Sequence, residues 1–229
     1  MEARATRGDR LMLSTTTSLD ASQLLAFRSA RAWTIFLVTI VLSIVIDLAT
    51  KYWAFDSIAG FPVRVEREAV IAVTPRLGQL IPSHTPRTIL PSLLDFTLVL
   101  NPGAVFGIGA GKRWFFVTFT GIAVVVGMLA FAHWTRARDW TMHVAIGLIL
   151  GGGLGNLYDR LTYACVRDFI HPLPGVEWPF GISTPWSGRE MWPYVSNVAD
   201  ALLLIGVGLI VWRSFTLSPG ANAATTTIK

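Results

Sequence analysis

Four apolar runs, each close to twenty residues long, limit what this chain can fold into. They cover about residues 33–53, 114–134, 140–158 and 195–212. A helix of about twenty apolar residues matches the hydrocarbon thickness of a bilayer. In lipid, every backbone N–H and C=O must be satisfied inside the segment, so each run is expected to be a helix. Composition points the same way: 52% of the residues are hydrophobic and 14% charged, where a soluble domain carries roughly a quarter charged. Trp33, Trp53, Trp114, Trp134, Trp140 and Trp212 fall near the run ends, as an interfacial aromatic belt would. The first run is too long and starts too far from Met1 for a cleavable signal peptide, and it lacks a clear small-x-small site. The chain reads as a mainly α membrane protein.

The segments between the runs set the organisation. Residues 1–32 are polar and mixed in charge and read as a flexible tail, with Arg28 and Arg31 near its end. Residues of about 54–113 are rich in proline and β-branched side chains. Val63-Arg64-Val65-Glu66 and part of Leu94 to Leu100 alternate, which suggests short strands of a small extramembrane sheet. Residues of about 159–194 read as a loop heavy in Pro, Gly and Trp, and 214–229 as a second polar tail. Arg28, Arg31, Arg136, Arg138 and Arg213 share one side of a four-span arrangement, so that side and both termini are expected to be cytoplasmic. The net charge of +5 is spread thinly, which argues against a nucleic-acid partner. Cys165 is the single cysteine, so neither an intrachain disulfide nor a cysteine metal cluster can form.

With that topology, the chemistry gathers at one depth. Asp47 and Lys51 lie four apart at the outer end of the first span, on one helix face. Asn156, Asp159 and Arg160 end the third span, and Asn197 and Asp200 begin the fourth. The segment from Asn101 to Gly107 shortly precedes the second span. An isolated charge at a span end is ordinarily an interfacial anchor, and Asp47 with Lys51 could be only an i,i+4 ion pair. Asn156 and Asn197 could simply bond between helices, and Gly151, Gly152, Gly153 and Gly155 suit close helix packing. Asp159 and Asp200 are harder to read as bland. Two carboxylates at one membrane depth suit acid/base chemistry with a shared proton. Other schemes lack their residues: there is no His-Glu-x-x-His, no Gly-x-Ser-x-Gly and no Gly-x-Gly-Asp, and the four histidines show no metal-ligand spacing. A proton- or ion-coupled transporter using the two aspartates as a relay is the alternative, and a scaffold whose carboxylates only pair with Lys51 and Arg160 is a third reading.

Five motifs occur in order: Asp47-Leu48-Ala49-Thr50-Lys51, Asn101-Pro102-Gly103-Ala104-Val105-Phe106-Gly107, Gly151 to Arg160, Val166-Arg167-Asp168-Phe169 and Asn197-Val198-Ala199-Asp200. Together they resemble lipoprotein signal peptidase, the type II signal peptidase of bacteria, over about Trp33 to Trp212. The resemblance implies four transmembrane helices, a small extracytoplasmic β-rich cradle and an outer loop over the active site. It also implies an aspartic endopeptidase in the bacterial inner membrane, with no cofactor or metal. Such an enzyme cuts diacylglyceryl-modified prolipoproteins before the lipidated cysteine, with membrane lipids around it and no partner subunit. By motif match, Asp159 and Asp200 fall on the catalytic dyad. Asn101, Gly103, Asn156, Arg160 and Asn197 fall on residues that shape the site, Asp168 on a loop-stabilising motif, and Asp47 and Lys51 on the first motif. The chain departs from the pattern at Ser196, where an aromatic is usual, and in a longer 171–194 segment and N-terminal tail.

Overall fold

The computed structural model describes residues 24–103, 112–185 and 187–216. Four long helices carry the apolar runs: α1 (Ala30–Ser57), α3 (Arg113–Trp134), α4 (Trp140–Thr162) and α5 (Val198–Thr216). Among the described residues, a short helix α2 (Arg67–Val73), three strands, β1 (Arg87–Leu90), β2 (Leu94–Asn101) and β3 (Val166–Pro172), and 3-10 turns at Ala26–Arg28, Leu77–Leu80 and Pro179–Gly181 make up the remaining regular structure. All four long helices are long and apolar enough to cross a membrane. At 28 residues, α1 is about 42 Å long, so its last turns extend beyond a hydrocarbon core. Its start is capped: the Ser29 side chain accepts from the Ala32 N–H at 3.3 Å.

The helices divide the labour of burial. Half of the apolar window of α4 is buried inside the protein, against 6% for α3. α4 is therefore the central post, packed by α1 and α5, while α3 shows most of its surface outward. Glycines on α4 and α5 make this contact close. A Cβ at Gly152 would stand 2.6 Å from the Ala199 carbonyl, and one at Gly206 would stand 2.7 Å from the Ala145 carbonyl. Gly155 likewise gives the Asp47 carboxylate room against α4.

The strands form one antiparallel sheet in the order β1-β2-β3. In the β2–β3 ladder Val99 stands opposite Asp168, Leu100 opposite Arg167 and Asn101 opposite Val166. Side chains alternate across a sheet with period two. Asn101 and Asp168 therefore share one face, and Arg167 points from the other. A core of Phe55, Val70, Leu77, Leu98, Leu100, Cys165 and Phe169 joins the sheet to the end of α1. A second core, containing Ala26, Phe36, Phe131, Ile146 and Leu150, lies toward the opposite end of the helices.

The structure differs from the sequence expectations in four places. Val63 to Glu66 stays unpaired and leads into α2, because no neighbouring strand reaches it. Residues 166–172 were expected within a loop but form β3. Val166 to Phe169 are all buried, so this strand lacks the apolar/polar alternation that marks a half-exposed one. Residues 24–29 are not a free tail: Ala26 is fully buried and its N–H donates to the Thr135 carbonyl at 3.0 Å. The last helix runs to Thr216, and its first three expected residues precede it instead, with Ser196 bridged to Ile170 of β3 and Asn197 capping the helix.

Gly152→Ala and Gly206→Ala should each lower stability by about 1–3 kcal/mol through overpacking of α4 against α5. Gly208, with nothing within 4 Å of its added Cβ, should tolerate alanine or gain up to about 1 kcal/mol in helix propensity. Thermal unfolding of the detergent-solubilised variants measures the contrast.

Candidate active site

At the sheet end of the helices, α1, α4, α5 and β3 bring an unusual number of charges into the interior. Asp47, Lys51 and Asp159 are fully buried, Asp168 and Asn197 are 1% exposed, and Arg167 is 7% exposed. Buried charges persist only when paired and hydrogen-bonded. The Lys51 ammonium donates to Asp47 Oδ2 at 2.8 Å and to Asn156 Oδ1 at 2.9 Å, and lies 3.5 Å from Asp159 Oδ2. Arg167 closes the other side of Asp159, donating from Nη2 to Oδ1 at 2.8 Å, while its backbone N–H donates to Oδ2 at 3.0 Å. The guanidinium also lies over the Tyr163 ring, 4.3 Å from its centroid. Two cations and two carboxylates thus form a closed, neutral group.

The start of α5 is held from three directions. A helix leaves its first backbone N–H groups without partners. Here Asp47 Oδ1 accepts from the Ala199 N–H at 2.9 Å, and Asn197 Oδ1 accepts from the Asp200 N–H at 3.2 Å. Asp200 Oδ2 returns the bond by accepting from the Asn197 N–H at 3.2 Å. This reciprocal exchange is a capping box, and it fixes the Asp200 carboxylate at the positive end of the helix dipole.

Asp168 is the carboxylate that the fold brings to Asp200. Asn197 Nδ2 donates to Asp168 Oδ1 at 2.6 Å, and Asn101 Nδ2 donates to Asp168 Oδ2 at 3.1 Å. Asn156 Nδ2 donates to Asp200 Oδ1 at 2.9 Å. One asparagine, Asn197, therefore bonds both acids. Burial pushes the Asp168 carboxyl up to about 7. The negative charge of Asp200 adds to the rise, and the hydrogen bonds from Asn197 and Asn101 oppose it.

Both acids line a cavity of about 570 Å³. Its polar end holds Asn101, Gly103, Asn156, Arg160, Asp168 and Asp200. Its apolar walls come from Phe115, Phe116, Phe119 and Val124 of α3, Ile149 and Leu150 of α4, and Leu203 of α5. Arg160 spans the two environments. It donates to the Gly103 carbonyl at 2.9 Å and to the Asn156 carbonyl at 3.2 Å, and lies 5.0 Å from the Phe116 ring centroid. The Gly103 N–H donates to Asn101 Oδ1 at 3.0 Å, which folds the Asn101-Pro102-Gly103 turn over the cavity's polar end. The rest of that motif, Ala104 to Gly107, lies outside the described residues.

These positions differ from the expected pairing. Asp159 does not line the cavity and is instead locked to Lys51 and Arg167. Asp168 takes the expected place of Asp159 beside Asp200. The reason is strand geometry: Arg167 and Asp168 are adjacent and so leave β3 on opposite faces, one toward Asp159 and the other toward the cavity. Asn101, Gly103, Asn156, Arg160 and Asn197 gather at the site as expected, while Asp47 and Lys51 stand behind it. Arg167 was not anticipated, and its signal in the sequence is only its place beside Asp168 in the Val166-Arg167-Asp168-Phe169 motif. Cys165 is buried, and burial pushes its thiol up to about 12, so it is a poor nucleophile.

A multi-pass helical membrane protein with paired carboxylates at a half-polar, half-apolar cavity is the class that this fold and site define. The chain belongs to the signal peptidase II family: the model for Signal peptidase (SPase) II matches residues 39–216. It is therefore a peptidase, a hydrolase. It is 31% identical to the lipoprotein signal peptidase of Desulfitobacterium hafniense (strain DSM 10664 / DCB-2) over 159 residues, covering 69% of this chain and 84% of that protein. It is 34% identical to the lipoprotein signal peptidase of Hydrogenovibrio crunogenus (strain DSM 25203 / XCL-2) over 184 residues, 77% of this chain and 82% of that one. Among solved structures, a bacterial membrane enzyme determined by the in meso method at 2.3 Å resolution is similar with a TM-score of 0.57 and 26% identity. That match covers 85% of this chain and 94% of the other.

Removing one member of the closed group strands its partner as a buried charge. Asp159→Ala and Arg167→Ala should each cost about 3–5 kcal/mol. Asp200→Asn, which keeps an acceptor in the capping box, should stay within about 1 kcal/mol of the parent. Thermal unfolding in detergent separates the two behaviours.

Proposed function

We propose that the protein is an aspartic endopeptidase that removes the signal peptide from diacylglyceryl-modified prolipoproteins, with Asp168 and Asp200 as the acid/base pair. The observation that carries this reading is that Asn197 bonds both carboxylates at the polar end of one cavity. Family membership supports the substrate class. The cavity's division supports it too: a peptide backbone needs the polar end, whereas acyl chains suit the apolar walls of Phe115, Phe116, Phe119 and Leu203.

The hydrolysis uses water as nucleophile and one proton held by the pair. The ionised acid takes a proton from water as the new C–O bond forms at the scissile carbonyl. The protonated acid gives its proton to the amide nitrogen as the C–N bond breaks. Arg160 and the Asn101 turn would orient the peptide and face developing negative charge. The arginines at the α3–α4 connection and at the end of α5 support placing that side in the cytoplasm, with the site near the outer face of the inner membrane.

Asp168→Asn and Asp200→Asn should each reduce cleavage of a diacylglyceryl-modified prolipoprotein by on the order of 10³-fold or more, with unfolding temperatures near the parent's. Asp168 keeps its proton below about 7 and loses it as pH rises through that value. The kcat/KM profile of the purified enzyme should therefore fall on the alkaline side of about pH 7. Full activity in either variant would remove the pair from the mechanism.

A further inference from the structure

The two acids are not equivalent, and a buried lysine that touches neither of them accounts for the difference. We propose that Lys51 is a positioning residue for the reaction: through the Asn156 amide it sets the negative charge of the pair on Asp200 and the shared proton on Asp168. This rests on the reading of Asp168 and Asp200 as the working pair.

The argument follows the direction of donation. An ammonium can donate only. Lys51 Nζ donates to Asp47 Oδ2 and to Asn156 Oδ1, and pairs with Asp159 at 3.5 Å. The oxygen of the Asn156 amide must therefore face Lys51. Its NH2 is turned to the other side, where it donates to Asp200 Oδ1 at 2.9 Å. An amide can be placed either way round when its neighbours are ambiguous, and Lys51 removes that ambiguity. Asn197 is fixed in the same sense, since its oxygen accepts from the Asp200 N–H and its NH2 reaches Asn156 Oδ1 at 3.1 Å and Asp168 Oδ1 at 2.6 Å. Every side-chain amide around the pair thus hands hydrogens toward a carboxylate.

Asp200 then has what a carboxylate needs. It accepts from Asn156 and from the Asn197 backbone, and it sits in the first turn of α5 at the positive end of the dipole. Asp168 sits on a strand, without a helix dipole, and is almost wholly buried. The charged groups facing the site are Asp47 and Lys51 on α1, Asp159 and Arg160 on α4, and Arg167 on β3. The cavity-lining residues of α3 carry no charge. Asp159 and Arg167 neutralise each other, and so do Asp47 and Lys51, which leaves Arg160 as the cation lining the cavity and Lys51 to act through the Asn156 amide. In turnover Asp200 takes the proton from water and Asp168 supplies the one that leaves with the amine. The proton on Asp200 is then returned to Asp168, restoring the starting state.

The test is the pH dependence of prolipoprotein cleavage by the purified full-length protein. Asp47→Asn combined with Lys51→Met removes both charges together and keeps an acceptor for the Ala199 N–H, so the fold is not left with a stranded ion. The expected result is a kcat lower by about tenfold or more with KM within about twofold, and an acidic limb of kcat/KM moved up by about one unit. A second variant leaves Lys51 in place: Asn156→Asp puts an acceptor-only group opposite Asp200 and should confine activity to lower pH. A parent-like profile in the folded double variant or in Asn156→Asp overturns the proposal. Asp168→Asn and Asp200→Asn test the pair separately, since activity in either would overturn the dyad whatever Lys51 does.

Discussion

The Lys51 ammonium, with no access to solvent, ties the functional end of the molecule together. A lone buried cation would cost several kcal/mol, so the chain surrounds it with Asp47, Asp159 and the Asn156 oxygen. Each partner belongs to a further contact: Asp47 caps α5, Asp159 grips Arg167 on β3, and Asn156 reaches Asp200. α1, α4, α5 and the sheet are therefore joined through one nitrogen atom. Such a group contributes little net stability compared with apolar packing of the same volume. What it contributes is a fixed geometry, because each member has only one arrangement in which every charge is paired.

That fixed geometry explains how a polar site can be held among membrane-spanning helices. Helices in lipid gain little from burying apolar surface against each other, so close packing and polar contacts decide their arrangement. Gly152, Gly155 and Gly206 let α4 approach α1 and α5, and the charges set the register once the helices are near. α3 stands apart from this network and lends the cavity an aromatic wall. The result is a chamber with a rigid polar floor and an apolar side.

Much of this was legible in the chain. The four spans follow from apolar length, and the gathering of Asn156, Arg160, Asn197 and Asp200 follows from their places at span ends. The motifs carried the family. The strand at 166–172 was not legible, since a strand buried on both faces loses its alternation. The choice between Asp159 and Asp168 was hidden for a related reason: nine residues apart in sequence, one ends a glycine-rich helix and the other follows it, and nothing local tells which one faces a cavity.

The sequence by itself determined a four-span helical protein, its polar residues and the family to which they belong, because bilayer thickness and backbone hydrogen bonding leave few other solutions for such runs. Only the tertiary structure decided which carboxylates meet. Arg167 and Asp168 are neighbours in the chain, but the pleat of β3 sends one into the closed ion group with Asp159 and the other to Asp200. Period-two alternation is a local rule, but which face of the strand becomes the cavity depends on where α4 and α5 pack against it.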